Sequence, residues 1–523
     1  MSCPHAADAI VVGAGPVGLT TALLLARQGL RALVLEKRSQ PAAEPRAVSL
    51  DDEGLRIWQA CGLEDALRDD WSGGADHGVI CEYRDAHDRR FLALRQELSD
   101  LGHPQAVAIH QGRIDEKLLS FASRHPSITV RRGVAVEGLE QDAAGVRLRC
   151  VETDGASFVT SAPWVIACDG ANSVVRAALG IRLVGHRLPR PWLVANLLDP
   201  SQRMGDDAMA HRDAPLHAVI RCRRGGAAVT MPLPHGMRRV EVELDEHDDG
   251  AFLADEREVR ARLLAGWSGA ATAPITSVAR CLFRAAVAER WREGRVFLAG
   301  DAAHVMPPFA GQGLGAGLRD AANLAFKIAG VTQNWLDASA LATYEAERRP
   351  HVERITRLAC RLGRMMSPTT AIEGRIVPTA LRWIGSSALL ARRWMLRGSG
   401  IRPVLDEGLL TKSRHAGRYL PQPTVLAPDG RSVRLDDLLG PRMSWIVLAG
   451  RTRSRPALVA PLLRPSDSVL AEGRDFTDPD RVLQRRYGAG SLLLVRPDRI
   501  VHSHLRASHT RRRPPGYTHA FSN

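Results

Sequence analysis

What the chain does not contain narrows it first. Its 523 residues include no run of about 18 uncharged apolar side chains, so no transmembrane helix is expected. Met1 to Ala7 carry no basic n-region, and the apolar stretch from Ala9 ends in turn glycines, so no signal peptide is expected either. The eight cysteines, at 3, 61, 81, 150, 168, 222, 281 and 360, include no close pair. They read as thiols of a cytoplasmic protein rather than a disulfide frame or a zinc site. The histidines lack ligand-like spacing, so no metal site is expected. No internal repeat is evident, and with 45% hydrophobic and 24% charged residues the chain is neither disordered nor of low complexity. Its length suggests about three domains.

Lysine is also scarce, being present only at 37, 117, 327 and 412, yet the formal net charge is +14. Arginine supplies it, and the surplus is local: residues 348–414 hold fourteen basic residues against Glu353, Glu373, Asp406 and Glu407. Nucleic acid, a membrane surface and anionic small molecules are the partners such a surplus suggests. The stretch has no interleaved aromatics of a single-strand platform and no zinc-finger spacing, which disfavours nucleic acid. Residues 380–396, with Trp383, Trp394, Arg392 and Arg393, are amphipathic enough to touch a membrane surface. The preferred reading is a set of connecting helices whose arginines face water.

Residues 8–12 form a short apolar, β-branched run that reads as a buried parallel strand. It leads into Gly13-Ala14-Gly15-Pro16-Val17-Gly18, then a helical stretch closed by Gly29, then a second strand ending in Glu36. Gly13 permits the tight turn, Gly15 lets the backbone approach a pyrophosphate, and Gly18 allows close packing of helix and strand. Glu36, followed by Lys37, stands where a carboxylate accepts from ribose hydroxyls. A dinucleotide site follows, although this motif alone does not separate FAD from NAD(P).

Strand patterns recur at 130–136, 146–151 and 164–167, and from 183 to 283 the texture becomes mainly antiparallel strands. A buried strand returns at 295–299, with a helix at 314–331. Residues 341–410 read as helical, interrupted by Pro350, Pro368 and Pro378. Pro421 and Pro423 mark a linker into a last region with strands at 445–448 and 491–495. The expected fold is α/β: a doubly wound, Rossmann-like dinucleotide-binding domain (1–182, then 285–350) that includes a short excursion near 76–104. A mainly antiparallel substrate domain (183–284) is inserted in it. A helical connector (351–415) and a C-terminal domain (416–523) follow.

Two further segments follow buried strands. One is Cys168-Asp169-Gly170-Ala171-Asn172-Ser173; the other is Gly300-Asp301-Ala302-Ala303-His304, which runs into Pro307-Pro308-Phe309-Ala310-Gly311-Gln312-Gly313-Leu314-Gly315. An Asp beside Gly at a strand end is placed to bond ribose hydroxyls, and a glycine-rich loop entering a helix offers bare N–H groups to anions.

In this order and spacing the three motifs, over residues 8–360, resemble those of single-component FAD-dependent aromatic hydroxylases. Pro45-Arg46-Ala47-Val48-Ser49-Leu50-Asp51, the run from Phe297 to Gly313, and Tyr344-Glu345-Ala346-Glu347-Arg348-Arg349-Pro350 bring it nearest to the 3-(3-hydroxyphenyl)propionate hydroxylases and their phenol hydroxylase-like relatives. The resemblance implies that Glu36 binds the adenosine ribose and that Arg46 and Gln111 contact FAD. It places Asp169 near the pyrophosphate and the path of the nicotinamide. Asp301 falls on the ribitol, and Pro308 with Gly311, Gln312, Gly313 and Leu314 along the flavin ring. It gives His304 a structural role and Arg176 that of a buttress for the Asp-Gly loop. Phe326 stands where the family more often has Trp. The resemblance also implies a thioredoxin-like C-terminal domain, and the absence of cysteine after Cys360 removes any thiol exchange from it.

By the same resemblance, NADH or NADPH reduces FAD, O2 adds at flavin C4a, and the hydroperoxide hydroxylates a phenolic ring, with a hydroxyphenylpropionate-like acid as one candidate. Only one dinucleotide fingerprint is present, so the nicotinamide cofactor visits without its own domain. Arg284 is a candidate partner for a substrate carboxylate, with an exposed strand arginine as the alternative. Two other readings stand beside this one: a tailoring monooxygenase of a polyketide or antibiotic, and a non-catalytic FAD-binding scaffold. No Trp-x-Trp-x-Ile-Pro segment of the flavin halogenases is present. A homodimer is a plausible assembly.

Overall fold

The computed structural model describes residues 7–40, 47–72, 79–199, 216–368, 402–450 and 467–505, with a few positions between 370 and 379. Its centre is a six-stranded sheet, in the order Arg292–Glu293, Val296–Leu298, Trp164–Ala167, Ala9–Val12, Ala32–Glu36 and Ile128–Arg132. The five longer strands are parallel. In the four inner ones the apolar runs are buried on both faces, with Ile10, Val11, Val34, Ile166 and Phe297 fully buried. This is why they read as continuous rather than alternating. Each such side chain contributes about 1.5–3 kcal/mol by leaving water.

The chain leaves Ala9–Val12 toward Ala32–Glu36 on one side and returns later to Trp164–Ala167 on the other. The C-terminal ends of these central neighbours therefore form a topological switch point, where doubly wound sheets bind ligands. Helices Pro16–Arg27 and Gly313–Thr332 pack together over this sheet. A three-stranded antiparallel sheet (Val134–Gln141, Val146–Glu152, Ser157–Ala162) intervenes before the third central strand.

The second large layer is a seven-stranded sheet in the order Ile275–Cys281, Trp192–Leu198, Met237–Glu243, Ala228–Leu233, Leu216–Arg221, Val79–Arg84 and Arg90–Arg95. It is antiparallel except where Leu216–Arg221 meets Val79–Arg84. Alternation along Met237–Glu243 sends Val240 and Val242 into a core with Leu193, Phe252 and Leu263, which leaves the other face toward the central sheet.

Three expectations are corrected. Pro350 does not interrupt its helix, which runs unbroken over Thr343–Met366. An interior proline costs about 3 kcal/mol, but its neighbours are anchored on both sides. Arg349 donates to the carbonyls of Ala288 (2.7 Å) and Glu289 (2.8 Å), Arg348 pairs with Asp320 (2.9 Å), and the Tyr344 hydroxyl donates to the Leu298 carbonyl (2.8 Å). Residues 402–410 are not helical, because their backbone is committed elsewhere: the Leu409 N–H donates to Glu347 at 2.7 Å. Nor is the segment at Pro421 and Pro423 a free linker. Leu420 and Gln422 are buried, and Gln422 donates to the carbonyls of Asp100 (2.8 Å) and Leu101 (2.6 Å). The amphipathic stretch 380–396 lies outside the described residues. Among the described residues, no helix is long and apolar enough to cross a membrane.

The C-terminal region builds a four-stranded sheet, Ser468–Ala471, Ser444–Val447, Leu492–Val495 and Val501–Leu505. Phe326 of the Gly313–Thr332 helix packs with Trp445 and Leu494 of this sheet, so the phenylalanine fills the space between the two layers. Buried ion pairs surround that contact: Arg56–Asp436 (2.6 Å), Arg499–Asp436 (3.2 Å), Arg496–Glu347 (2.7 Å) and Lys327–Glu347 (2.9 Å). Burial alone would raise the Asp436 carboxyl, but Arg56 and Arg499 beside it hold it down at about 2. A carboxylate lowered on folding stabilises the fold above its ordinary value of 3.8, and the contribution is lost as pH falls through about 2. Asp436→Asn leaves two buried guanidiniums uncompensated and is expected to cost about 3–5 kcal/mol in urea unfolding at neutral pH. The gap between parent and variant should close as the pH is lowered from about 4 to about 2; a constant gap would contradict this assignment.

Candidate active site

The turn after Ala9–Val12 lies directly against the turn after Trp164–Ala167. Gly13 has φ +106°, and a Cβ there would stand 2.4 Å from the Cys168 carbonyl oxygen. At Gly18 a Cβ would stand 2.0 Å from the Gly13 carbonyl oxygen, so this glycine lets the helix seat on the turn. Above Gly15, by contrast, there is open space: nothing lies within 4 Å of a Cβ placed there. Gly15 is the N-cap of Pro16–Arg27, a helix start with no side-chain cap and no acidic residue in its first turn. Its positive end is unneutralised toward that space. Glu36 reaches back from the second strand and accepts from the N–H groups of Ala14 (2.8 Å) and Arg38 (2.9 Å).

Asp169 follows the third central strand. One carboxylate oxygen accepts from Val174 (2.8 Å) and Val175 (3.2 Å), while Oδ1 is buried without a hydrogen-bond partner. Burial raises its carboxyl, opposed by hydrogen bonds from Ser173 and the backbone. Arg176 ties this loop to the next by donating to the carbonyls of Ala171 (2.8 Å) and Ala302 (3.0 Å).

The Gly300–Ala302 turn follows the central strand Val296–Leu298, and the Gly300 N–H donates to Asp320 at 3.1 Å. Beyond it, Gly311 has φ +63° and lies against Ser49, where a Cβ would come within 2.6 Å of the hydroxyl. Gln312 is the N-cap of Gly313–Thr332, a second helix start lacking a side-chain cap and an acidic first turn.

These turns open onto one cavity of about 1930 Å³. Of the residues singled out in the sequence, Gly13, Ala14, Gly15, Pro16, Glu36, Lys37, Gln111, Asp169, Asp301, Pro308, Gly311, Gln312, Gly313 and Leu314 line it. Gln111 also accepts from the Ala47 N–H at 2.8 Å, fixing the loop that enters the site. Gly18 and Gly300 stand behind the wall and serve packing. Arg46 lies outside the described residues. His304 is buried, its Nε2 2.6 Å from Asp320 and its ring 5.2 Å from that of Trp291, and it does not line the cavity.

Arg284 does not line the cavity either. Cys281 and Phe283 do, and the alternation of the chain turns Arg284 away, onto a strand paired with Leu183–Arg187. The far part of the cavity runs beneath the seven-stranded sheet, whose Val194, Ile220, Val229 and Met231 make an apolar wall. Sequence reading missed the polar groups there. Arg239 and Glu241 sit on that wall, and Arg354 and Arg361 on the helix that closes it. It also missed Arg319, a buried guanidinium that grips Asp51 and Glu53 and donates to Gln312 at 3.1 Å. Burial, opposed by Arg319, pushes the Glu53 carboxyl up to about 7.

Two open helix starts, a space that a single Cβ would enter and an orphaned carboxylate oxygen suit an anionic dinucleotide. They define the class: a doubly wound dinucleotide-binding protein whose cleft continues into a second, apolar chamber. A family model described as FAD binding domain matches residues 6–359. The chain is 33% identical to 3-(3-hydroxy-phenyl)propionate/3-hydroxycinnamic acid hydroxylase 2 of Burkholderia vietnamiensis, over 94% of its own length and 92% of that protein. It is 31% identical to the 3-(3-hydroxy-phenyl)propionate/3-hydroxycinnamic acid hydroxylase of Mycolicibacterium smegmatis, over 96% and 91%. Aklavinone-11 hydroxylase, solved as a ternary complex with FAD and aklavinone, matches with a TM-score of 0.75 at 25% identity, over 96% of each chain. The chain belongs to this FAD-binding family and is a flavoprotein aromatic monooxygenase with FAD as its cofactor.

Gly15→Val is expected to fold with an unfolding midpoint close to the parent's and to lose FAD affinity by about tenfold or more, read from flavin retained through gel filtration. Gly18→Val, whose Cβ meets backbone, should instead fail to fold; equal behaviour of the two variants would contradict the roles assigned here.

Proposed function

We propose that the protein consumes NADH or NADPH and O2 to hydroxylate a phenolic carboxylic acid of the hydroxyphenylpropionate type. The observation that carries this reading is the continuity of the cavity from the three nucleotide-binding turns to the apolar wall of the seven-stranded sheet. FAD, held by the turns at Gly13–Pro16, Asp169 and Asp301–Leu314, would supply the redox and oxygen-transfer chemistry that no side chain offers, with the nicotinamide as reductant, O2 as the source of the ring oxygen, and water as the fate of the other oxygen atom.

The chain's own tasks follow. The open start of Gly313–Thr332 would stabilise negative charge on the reduced ring system. Phe309, on the loop before that helix, packs against Trp192 (5.3 Å between ring centroids) and Phe283 (5.8 Å), an aromatic cluster that would help to keep water from between cofactor and substrate. Arg354 and Arg361 at the closing helix supply positive charge for an anionic substrate.

For the rest of the chain, we read the seven-stranded sheet as the substrate domain and the Thr343–Met366 helix as the start of the connector. A parallel pair followed by two antiparallel pairs in the last sheet supports a thioredoxin-like C-terminal domain. The seven described cysteines, all free, agree with a cytoplasmic setting. Tailoring of a polycyclic compound is the second reading, favoured by the likeness to aklavinone-11 hydroxylase.

The test uses the purified, flavin-loaded protein, with NADH and NADPH oxidation and product formation followed over a panel of phenols that includes 3-(3-hydroxyphenyl)propionate and uncharged phenols. Carboxylated phenols are expected to stimulate reductant consumption about tenfold or more and to yield a hydroxylated product. Bound FAD without stimulation by any phenol would refute the proposal, and a response confined to polycyclic substrates would favour the second reading.

A further inference from the structure

The sheet face above the cavity is largely apolar but carries a buried ion pair, Arg239–Glu241. On Met237–Glu243, Arg239 and Glu241 alternate with the core-facing Val240 and Val242 and line the cavity. Glu241 stands opposite Val194 on one neighbouring strand and Val229 on the other, both of which also line it. Its Oε1 accepts from Arg239 Nη1 at 3.1 Å, and Arg239 Nε donates to Asn196 at 2.8 Å. The next carboxylate along the strand, Glu243, is already engaged by the Ser367 hydroxyl at 2.7 Å. Charges this deeply buried add little to stability compared with apolar side chains of the same volume, so their placement against an apolar chamber calls for a use.

The register locates that use. Trp192 lies opposite Glu243, and its ring touches Phe309 of the loop that leads into Gly311–Leu314. Glu241 is two residues along the same strand, about 7 Å at strand spacing, from the point where the flavin-binding loop meets the sheet.

We propose that Glu241 takes the proton of the substrate's phenolic hydroxyl, with Arg239 as the positioning residue that fixes the carboxylate. This rests on the phenolic reading above. The phenol O–H bond breaks with its electron pair left on oxygen, a new O–H bond forms on the second Glu241 oxygen, and the proton is later released to solvent. Transfer accompanies attack by the ring, whose oxygen becomes more acidic as it donates electrons, so a carboxylate suffices as base. Among the described residues, the ionisable groups that line the cavity near it include Arg239 on its own strand, Cys281 across the sheet, Cys81 and Tyr83 on Val79–Arg84, and Arg354 and Arg361 on the closing helix, with Glu243 next along the strand and Asp51, Asp52, Asp100 and Arg402 elsewhere on the cavity wall. Burial pushes Cys281 and Tyr83 up and Cys81 up to about 11, so they stay protonated near neutrality.

The test is Glu241→Gln, which keeps the shape and the bond from Arg239, assayed as flavin-loaded enzyme with 3-(3-hydroxyphenyl)propionate and its ring-fluorinated, more acidic analogues. The variant is expected to hold FAD and keep KM within about threefold. Its kcat for product should fall about tenfold or more at pH 7 and recover with rising pH and with fluorination. A loss equal at every pH and on every analogue, or a parent-like profile, overturns the proposal. If Glu241→Gln does not fold, Glu241→Asp, which withdraws the carboxylate by one methylene, should show a lowered kcat at unchanged KM, and a parent-like kcat overturns the proposal. A parent enzyme that hydroxylates no phenol overturns the phenolic reading and this inference with it. A parent that does so beside an indistinguishable variant overturns the inference alone.

Discussion

Everything in this molecule depends on how closely the first βα turn lies against the third central strand. Gly13 is packed so tightly on the Cys168 carbonyl that no side chain fits between them. That contact fixes the relative height of the Gly15 helix start and the Asp169 loop. The neighbouring strand, Val296–Leu298, extends the same parallel register, so Gly300 and Asp301 emerge beside them. Three segments separated by well over a hundred residues thereby become one surface. What this surface presents to the cavity is backbone N–H groups and helix starts, whose aim is set by the sheet rather than by side-chain rotamers.

Around this surface the chain spends buried charge to hold loops still. Asp320 receives the Gly300 N–H, His304 and Arg348 at once. Burial would raise its carboxyl, but His304 and Arg348 beside it hold it down. Arg319 performs the matching task on the opposite flank, joining Asp51, Glu53 and Gln312. The two residues are consecutive on one helix, so the loop that carries Asp301 and the segment that carries Ser49 are both referenced to Gly313–Thr332. Such clusters cost desolvation and return positional precision, which a flavin site needs more than stability.

The nucleotide half was legible in the sequence because its signals are local: glycines with fixed offsets, a carboxylate at a strand end, a loop entering a helix. The chamber was not. Nothing local to the sequence singles out Arg239 and Glu241 on their strand, and only the packing of its other face against Phe252 and Leu263 shows that they look into a cavity. Arg284 shows the same limit in reverse, since one residue of strand parity separates it from Cys281 and Phe283, which line the chamber. Pro350 and the 420–423 segment misled because proline rules describe isolated segments, whereas Arg349 and Gln422 secure those backbones through partners far along the chain. The long-range ion pairs Arg56–Asp436 and Arg496–Glu347 have no sequence signature at all.

Gln422 is bonded to the carbonyls of Asp100 and Leu101, and Arg402 pairs with both Asp52 and Asp100. Residues 79–95, just upstream, are the outer strands of the sheet that roofs the chamber. Through these bonds the segments around Arg402 and Gln422 brace the 52 and 100–101 regions against each other, setting the gauge of the cleft from its rim. Changes in that brace would register as altered tightness of coupling between reductant use and product, at a distance from any reacting atom.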